Sequence, residues 1–178
     1  GKTIGEVAEH AGISPEEALL QIVLSNSGRV TIAGHTISQR NIEAALASDY
    51  SFVASDGAGY GQDEYKTGNL VHPRSFGTFP HFFHRFVNDL EAIEMERAIQ
   101  KITSGPAQKF GIRRRGAIKK GNFADVVVFD PNVMHDRATY RDPFKFPVGV
   151  EWVIANGKIL VKNGMFIGER SGAVLRKS

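Results

Sequence analysis

Asp56 closes an apolar run, Tyr50-Ser51-Phe52-Val53-Ala54-Ser55, and is followed at once by Gly57. A short β-branched and aromatic run that stops at an acid and a glycine reads as a buried strand. In α/β folds catalytic side chains gather at the carboxyl ends of strands, where a rigid strand aims the residue and the following loop shapes a pocket. A carboxylate in that place can take a proton and later return it to a leaving group, although Asp-Gly is also the chemistry of an ordinary turn. The stretch from Gly57 to about Phe79 reads as a long loop carrying His72-Pro73-Arg74, and loops of that length inside a domain are functional or disordered. Arg74 can hold a carboxylate through two parallel N–H bonds, while His72 can donate to a carbonyl or anchor Asp56. The alternative for both is that they fasten the loop to its surroundings. His35 is expected at the same mouth in a loop-structural role. His81 and His84 stand one helical turn apart, a spacing that can bind metal, but among Phe82, Phe83 and Phe86 their expected role is packing.

These residues need a scaffold, and the chain is long enough to build one: 178 residues, 42% hydrophobic and 23% charged, bury a real core. The formal net charge is +3 and the basic residues are scattered. The exception is Arg113-Arg114-Arg115, expected at the solvated end of a helix and only a weak sign of nucleic acid, so no nucleic-acid partner is expected. With 0 cysteines there is neither a disulfide framework nor a thiolate metal site, and a reducing cytoplasm is the expected compartment. No apolar stretch approaches the ~18 residues of a membrane span, so no membrane partner is expected either.

In order, the spacing predicts a helix up to Ala11, stopped by Gly12. A second helix has Ser14 as N-cap, Pro15 at its first position and Glu17 completing a capping box. Its apolar residues, Leu19, Leu20, Ile22, Val23 and Leu24, lie on so many sides that the helix is expected to be largely buried. Arg29 to Ala33 reads as a strand, Ser38 to Ala47 as a helix with Ile42, Ala45 and Leu46 inward, and the Asp56 run as the next strand. Strand, helix, strand over this length is a βαβ unit with parallel strands. Helices are expected from His81 through Asp89 and around Met95, Ala98, Ile99 and Ile102, then a short one capped by Ser104 or Gly105 and ending at Phe110-Gly111. After Gly111 the pattern changes to antiparallel β: a strand at Ala124 to Asp130, a hairpin turning on Asn156-Gly157, and a further turn at Asn163-Gly164.

Several of these segments carry a family resemblance. Ser55-Asp56-Gly57, then His72-Pro73-Arg74 with Gly77-Thr78-Phe79-Pro80, then Thr103-Ser104-Gly105-Pro106-Ala107 resemble successive landmarks of the N-acyl-D-amino-acid deacylase (D-aminoacylase) branch of the metal-dependent amidohydrolases. Gly116-Ala117-Ile118 and Gly121-Asn122-Phe123-Ala124-Asp125-Val126-Val127-Val128-Phe129-Asp130 continue the series, and the Asn156-Gly157 hairpin follows in place. The β segment belongs to the wider superfamily; His72 to Pro80 points to the deacylase branch.

The resemblance implies a distorted (β/α)8 barrel paired with a small β-domain. It also implies Zn2+, held mostly by histidines and one cysteine at early and middle strand ends, and an aspartate after the last strand that takes a proton from the activated water. Asp56 matches that aspartate and is the one metal-ligand candidate the chain supplies. The histidines have no match, since His10 lies in a helix and no His-x-His occurs, and the cysteine has none. A full barrel takes about 250 residues. The expectation is therefore an α/β chain forming the last strands and helices of the barrel (1–111) and part of the antiparallel β-domain (112–178), as the carboxy-terminal part of a longer enzyme. Its activity would be hydrolysis of the amide of N-acyl-D-amino acids, with Asp56 as general base and then acid and with Ser55, Gly57, His72 and Arg74 on the substrate; the chain alone would be inactive. The alternatives are another amidohydrolase, such as a hydantoinase or dihydroorotase, or a non-catalytic structural module. The expected partners are the upstream segment, the small substrate and, through uncovered strand edges, other copies of the chain.

Overall fold

The computed structural model describes residues 2–30, 32, 34, 36–61, 63–68 and 71–175. They form two compact units, residues 1–36 and 37–178. No helix among the described residues is long and apolar enough to cross a membrane.

The first unit is a helix pair, α1 (Ile4–Ala11) and α2 (Pro15–Ser25). Thr3 Oγ1 accepts from the Glu6 N–H at 3.1 Å and the Glu6 carboxylate accepts from the Thr3 N–H at 2.7 Å, a capping box at the end where α-helical N–H groups lack partners. Ser14 caps α2 by accepting from the Glu17 N–H at 3.2 Å, but the Glu17 carboxylate takes Gln21 Nε2 at 3.0 Å. The box expected there is thus a single cap, because an i+4 amide competes for the acid. The two helices pack on each other with Ala8 and Ala18 buried. The expected burial of α2 is not met: Leu20 and Leu24 are 56% and 71% exposed, because the helix carries apolar residues on more faces than one neighbouring helix covers.

The expected strand at 29–33 falls partly outside the described residues, at Thr31 and Ala33, and Arg29, Val30 and Ile32 are in no strand. Residues 50–56 are in no strand either, so the parallel βαβ unit is absent among the described residues. A strand exists through the ladder it shares with a neighbour, and this segment has none. It keeps the burial period of one: Ser51, Val53 and Ser55 are half-buried while Phe52, Ala54 and Asp56 are exposed, and Val53 packs on the core.

That core joins helices to a sheet. Phe82, Phe83, Phe86, Ile93, Ala98 and Met134 are buried together, with Ile42 and Leu46 of α3 (Gln39–Ala47) and Phe129 and Val150 of the sheet packed against them. Ala45, expected inward, is exposed. α4 runs Arg74–Phe82 and passes into a π-helical stretch, Phe83–Asp89. The long loop therefore ends earlier than expected, after a 3-10 turn at Glu64–Thr67. Pro73, with φ −57°, is already set for a helix, and Thr78 Oγ1 donates to the Arg74 carbonyl at 2.8 Å. Pro80 sits inside α4 and has no N–H to give the preceding turn; the wider π turn follows and directs Phe82, Phe83 and Phe86 inward.

α5 (Met95–Ile102) buries Ala98 and Lys101, and α6 (Ser104–Phe110) follows with Thr103 at its cap position and Gly111 at its end. Lys101, only 2% exposed, donates to the Ser48 carbonyl, to the Ser51 carbonyl at 3.0 Å and to Ser51 Oγ at 3.2 Å. It ties the end of α3 to the start of the Asp56 segment. Burial and the nearby Arg97 push its pKa down, with Asp49 opposing.

The sheet is four-stranded and antiparallel in the order β1-β2-β3-β4: Val126–Phe129, Val150–Ala155, Lys158–Lys162 and Met165–Phe166. Asn156 and Gly157 have φ 50° and 78°, Asn163 and Gly164 51° and 74°, the left-handed pairs of type I′ hairpin turns. Both turns stand where the sequence puts them. Arg115 departs from expectation. Its side chain is 13% exposed, bonded to Asp125 and, at 2.6 Å, to Asn156 Oδ1, and it lies over the Phe123 ring at 4.1 Å. An acid, an amide and a ring in one place draw this arginine out of solvent, so it fastens β1 to the hairpin turn.

Candidate active site

The site is built where the Asp56 loop runs along the first turn of α4. Asp56 has φ 45°, a left-handed conformation that aspartate tolerates better than most residues. Ser55 Oγ accepts from the Gly57 N–H at 3.2 Å and closes the turn. A Cβ on Gly57 would lie 2.9 Å from Ser75 Cα, so only glycine allows this approach. Ala58 N–H reaches Ser75 Oγ at 3.4 Å, and the Tyr60 ring stacks on Phe76 with centroids 6.2 Å apart. Held this way, Asp56 Oδ2 pairs with Arg74 Nη2 at 2.9 Å. The two side chains are 83% and 44% exposed, and such a pair adds no more than about 1 kcal/mol to stability. Its consequence is orientation.

His72 joins this pair to a second loop. Its Nδ1 accepts from the Arg74 N–H at 3.1 Å, and its Nε2 lies 3.1 Å from Tyr140 Oη. The rings meet edge to face, centroids 5.0 Å apart. Burial and the Arg74 charge lower the His72 pKa, with Asp56 opposing, which keeps the ring neutral at neutral pH. Both ring nitrogens are engaged, with Arg74 and Tyr140 rather than with the Asp56 carboxylate.

Tyr140 was not among the residues the sequence singles out. It arrives on the connection between β1 and β2, which docks on α4 along its length. Asp136 Oδ1 lies 3.1 Å from His81 Nδ1, and Asp136 fits over Gly77, where a Cβ would come within 2.9 Å. Phe144 and Phe146 meet Phe76 at 5.5 and 5.7 Å. The one available signal is the length of that connection, since long structured connections carry function.

Ser55, Asp56, Gly57, His72 and Arg74 thus come together. His81 and His84 do not join them or each other: His84 Nδ1 is 3.8 Å from Asp89 and its ring lies 5.6 Å from that of His135. His35 lies outside the described residues. Among the described residues no group of three or more His, Cys, Asp or Glu is placed to hold a metal ion, so a metal does not fit the donors described in this chain. A groove of about 470 Å3 lined by Asp49, Phe52, Arg97, Lys101 and Gly105 leaves Asp56 out; it is an open cleft beside α5, not the place where the carboxylate and arginine converge.

Residues 41–161 match the model of the amidohydrolase family, and the chain belongs to that family. It is 31% identical over 178 residues to the D-aminoacylase of Alcaligenes xylosoxydans xylosoxydans, covering 100% of this chain and 34% of the relative. A D-aminoacylase mutant solved with copper chloride superposes with a TM-score of 0.81 at 28% identity, covering 99% of this chain and 35% of that one. An N-acyl-D-glutamate deacylase from Bordetella bronchiseptica, complexed with zinc and a phosphonate mimic of the tetrahedral intermediate, superposes with a TM-score of 0.72 at 28% identity, covering 90% and 31%. The chain spans about a third of the length of the curated relatives it matches.

Proposed function

We propose that this chain supplies the acid–base carboxylate and the carboxylate anchor of an amidohydrolase that cleaves the amide bond of N-acyl-D-amino acids. The observation that carries the reading is the Asp56–Arg74 pair, 2.9 Å apart, which joins the Asp56 loop to the first turn of α4. The likeness to deacylases over the whole chain supports the substrate class. In this reading residues 1–111 belong to a (β/α)8 barrel, to which the described residues bring helices and the Asp56 loop, residues 112–178 are part of its small β-domain, and the enzyme is cytoplasmic. Zn2+ is the ion assigned to the complete protein, because one relative was solved with zinc. Its principal holders lie outside the described residues, with Asp56 as the one candidate ligand here; the chain by itself does not turn over substrate, and it works together with the segment that brings those holders.

The chemistry of this chain's own groups is a proton cycle. Asp56 takes the proton of the attacking water and delivers it to the amine nitrogen as the C–N bond breaks, so one carboxylate acts as base and then acid. Arg74, held beside it, exchanges the Asp56 oxygen for the carboxylate of the incoming amino acid, which its two N–H groups grip in parallel. Substrate binding thereby frees Asp56 for the proton. Ser55 and Gly57 keep the turn that aims it.

The test is hydrolysis of N-acyl-D-amino acids by the complete protein and its Asp56→Asn variant. The expected loss in kcat is about 10²–10⁴ with metal content unchanged. Turnover near that of the parent overturns the assignment.

A further inference from the structure

We infer that Tyr140 is a substrate-orienting residue of this site, donating its phenolic hydrogen to the carboxylate that Arg74 grips; the inference rests on the deacylase reading above. It begins with the His72 tautomer. Nδ1 accepts from the Arg74 N–H at 3.1 Å, and a neutral imidazole that accepts at one nitrogen carries its proton on the other. Nε2–H therefore points at Tyr140 Oη, 3.1 Å away, and Tyr140 is the acceptor in that bond. The hydroxyl keeps its own hydrogen, for which the described residues offer no acceptor.

Three further observations point that hydrogen at a ligand. Tyr140 is 50% exposed, so the hydroxyl is open to whatever enters from solvent. Its ring is fixed edge to face on His72, which lies next to the Arg74 backbone, so the donor is anchored to the residue that grips the anion. A hydroxyl that accepts one hydrogen bond is polarised into a better donor for the next. The result is a relay, Arg74 N–H to His72 to Tyr140, ending in a hydroxyl that still has a hydrogen to give. Tyr140 lies between β1 and β2, so the sheet portion of the chain contributes directly to substrate binding.

The experiment uses the complete enzyme, the Tyr140→Phe variant, and two substrates: an N-acetyl-D-amino acid and the same compound with its carboxylate converted to a carboxamide. Phenylalanine keeps the ring on His72 and removes only the hydroxyl. A hydrogen bond to a charged group is worth enough to raise KM for the acid about tenfold or more, while kcat and the KM of the carboxamide stay within about twofold. Equal KM for the acid in both proteins overturns the inference, as does a KM rise of the same size for acid and carboxamide, which is the signature of a structural role. A parent enzyme that hydrolyses no N-acyl-D-amino acid overturns the functional reading itself and this inference with it; that failure is visible in the parent and is not confused with a failure confined to the variant.

Discussion

Arg115→Met tests whether the arginine buried between β1 and the Asn156 turn holds the sheet. Methionine retains the apolar stem but removes the bonds to Asp125 and to Asn156 Oδ1 and the contact over Phe123. Losing a hydrogen bond to a charged group costs about 1.5–3 kcal/mol. Here Asp125 is 32% exposed and keeps the Asn156 N–H at 2.8 Å, so the lower end applies, about 1.5 kcal/mol. For a domain of this size that lowers Tm by roughly 3–6 °C. Acid supplies the control. Burial alone would raise the Asp125 pKa, but the Asn156 N–H and Arg115 together bring it below the usual value. A depressed carboxylate contributes stability that is present above the ordinary aspartate pKa of about 3.9 and is lost as pH falls through the folded value. Without Arg115 the folded pKa rises, so parent and variant converge in acid. Urea unfolding of both at pH 7 and near pH 3 measures this. A difference under about 1 kcal/mol at pH 7, or one that does not shrink in acid, refutes the reasoning.

Gly57→Ala puts a Cβ 2.9 Å from the Ser75 backbone; the loop must lift off α4, and kcat/KM of the complete enzyme should fall by about tenfold or more because a misplaced group loses its alignment. A crystal structure of that variant with the Asp56–Arg74 pair intact would count against it. Lys101→Met strips the Ser48 and Ser51 carbonyls of their shared donor and should cost about 2–3 kcal/mol in urea unfolding, and unchanged stability would show that water replaces the ammonium.

The local elements were legible because their signals are local. Ser14-Pro15, Gly12, Gly111 and the two Asn-Gly turns each fix the backbone through their own chemistry, and each stands where the sequence puts it. That Ser55, Asp56, Gly57, His72 and Arg74 lie near one another was also legible, since they share a single stretch of chain. The strand near Phe52 was misjudged because β pattern reports what a segment can pair with, and the described residues hold no partner for it. α4 was read too late because an aromatic, glycine-containing start hides a helix that Pro73 initiates. Arg115 and Tyr140 were invisible for one shared reason: their roles come from partners far along the chain, at Asn156 and His72.

The docking of the β1–β2 connection on α4 also sets an order of assembly. The hairpins of β2, β3 and β4 close over a few residues, and the Asp56 loop reaches Ser75 across 17. His81 meets Asp136 only across 55 residues and His72 meets Tyr140 across 68. Contacts of such separation pay a larger closure entropy and form late. Closure entropy alone therefore puts the Asp136 and Tyr140 contacts after the hairpins, and on refolding the far-UV signal of the hairpins should return ahead of the packing of Tyr140 on His72.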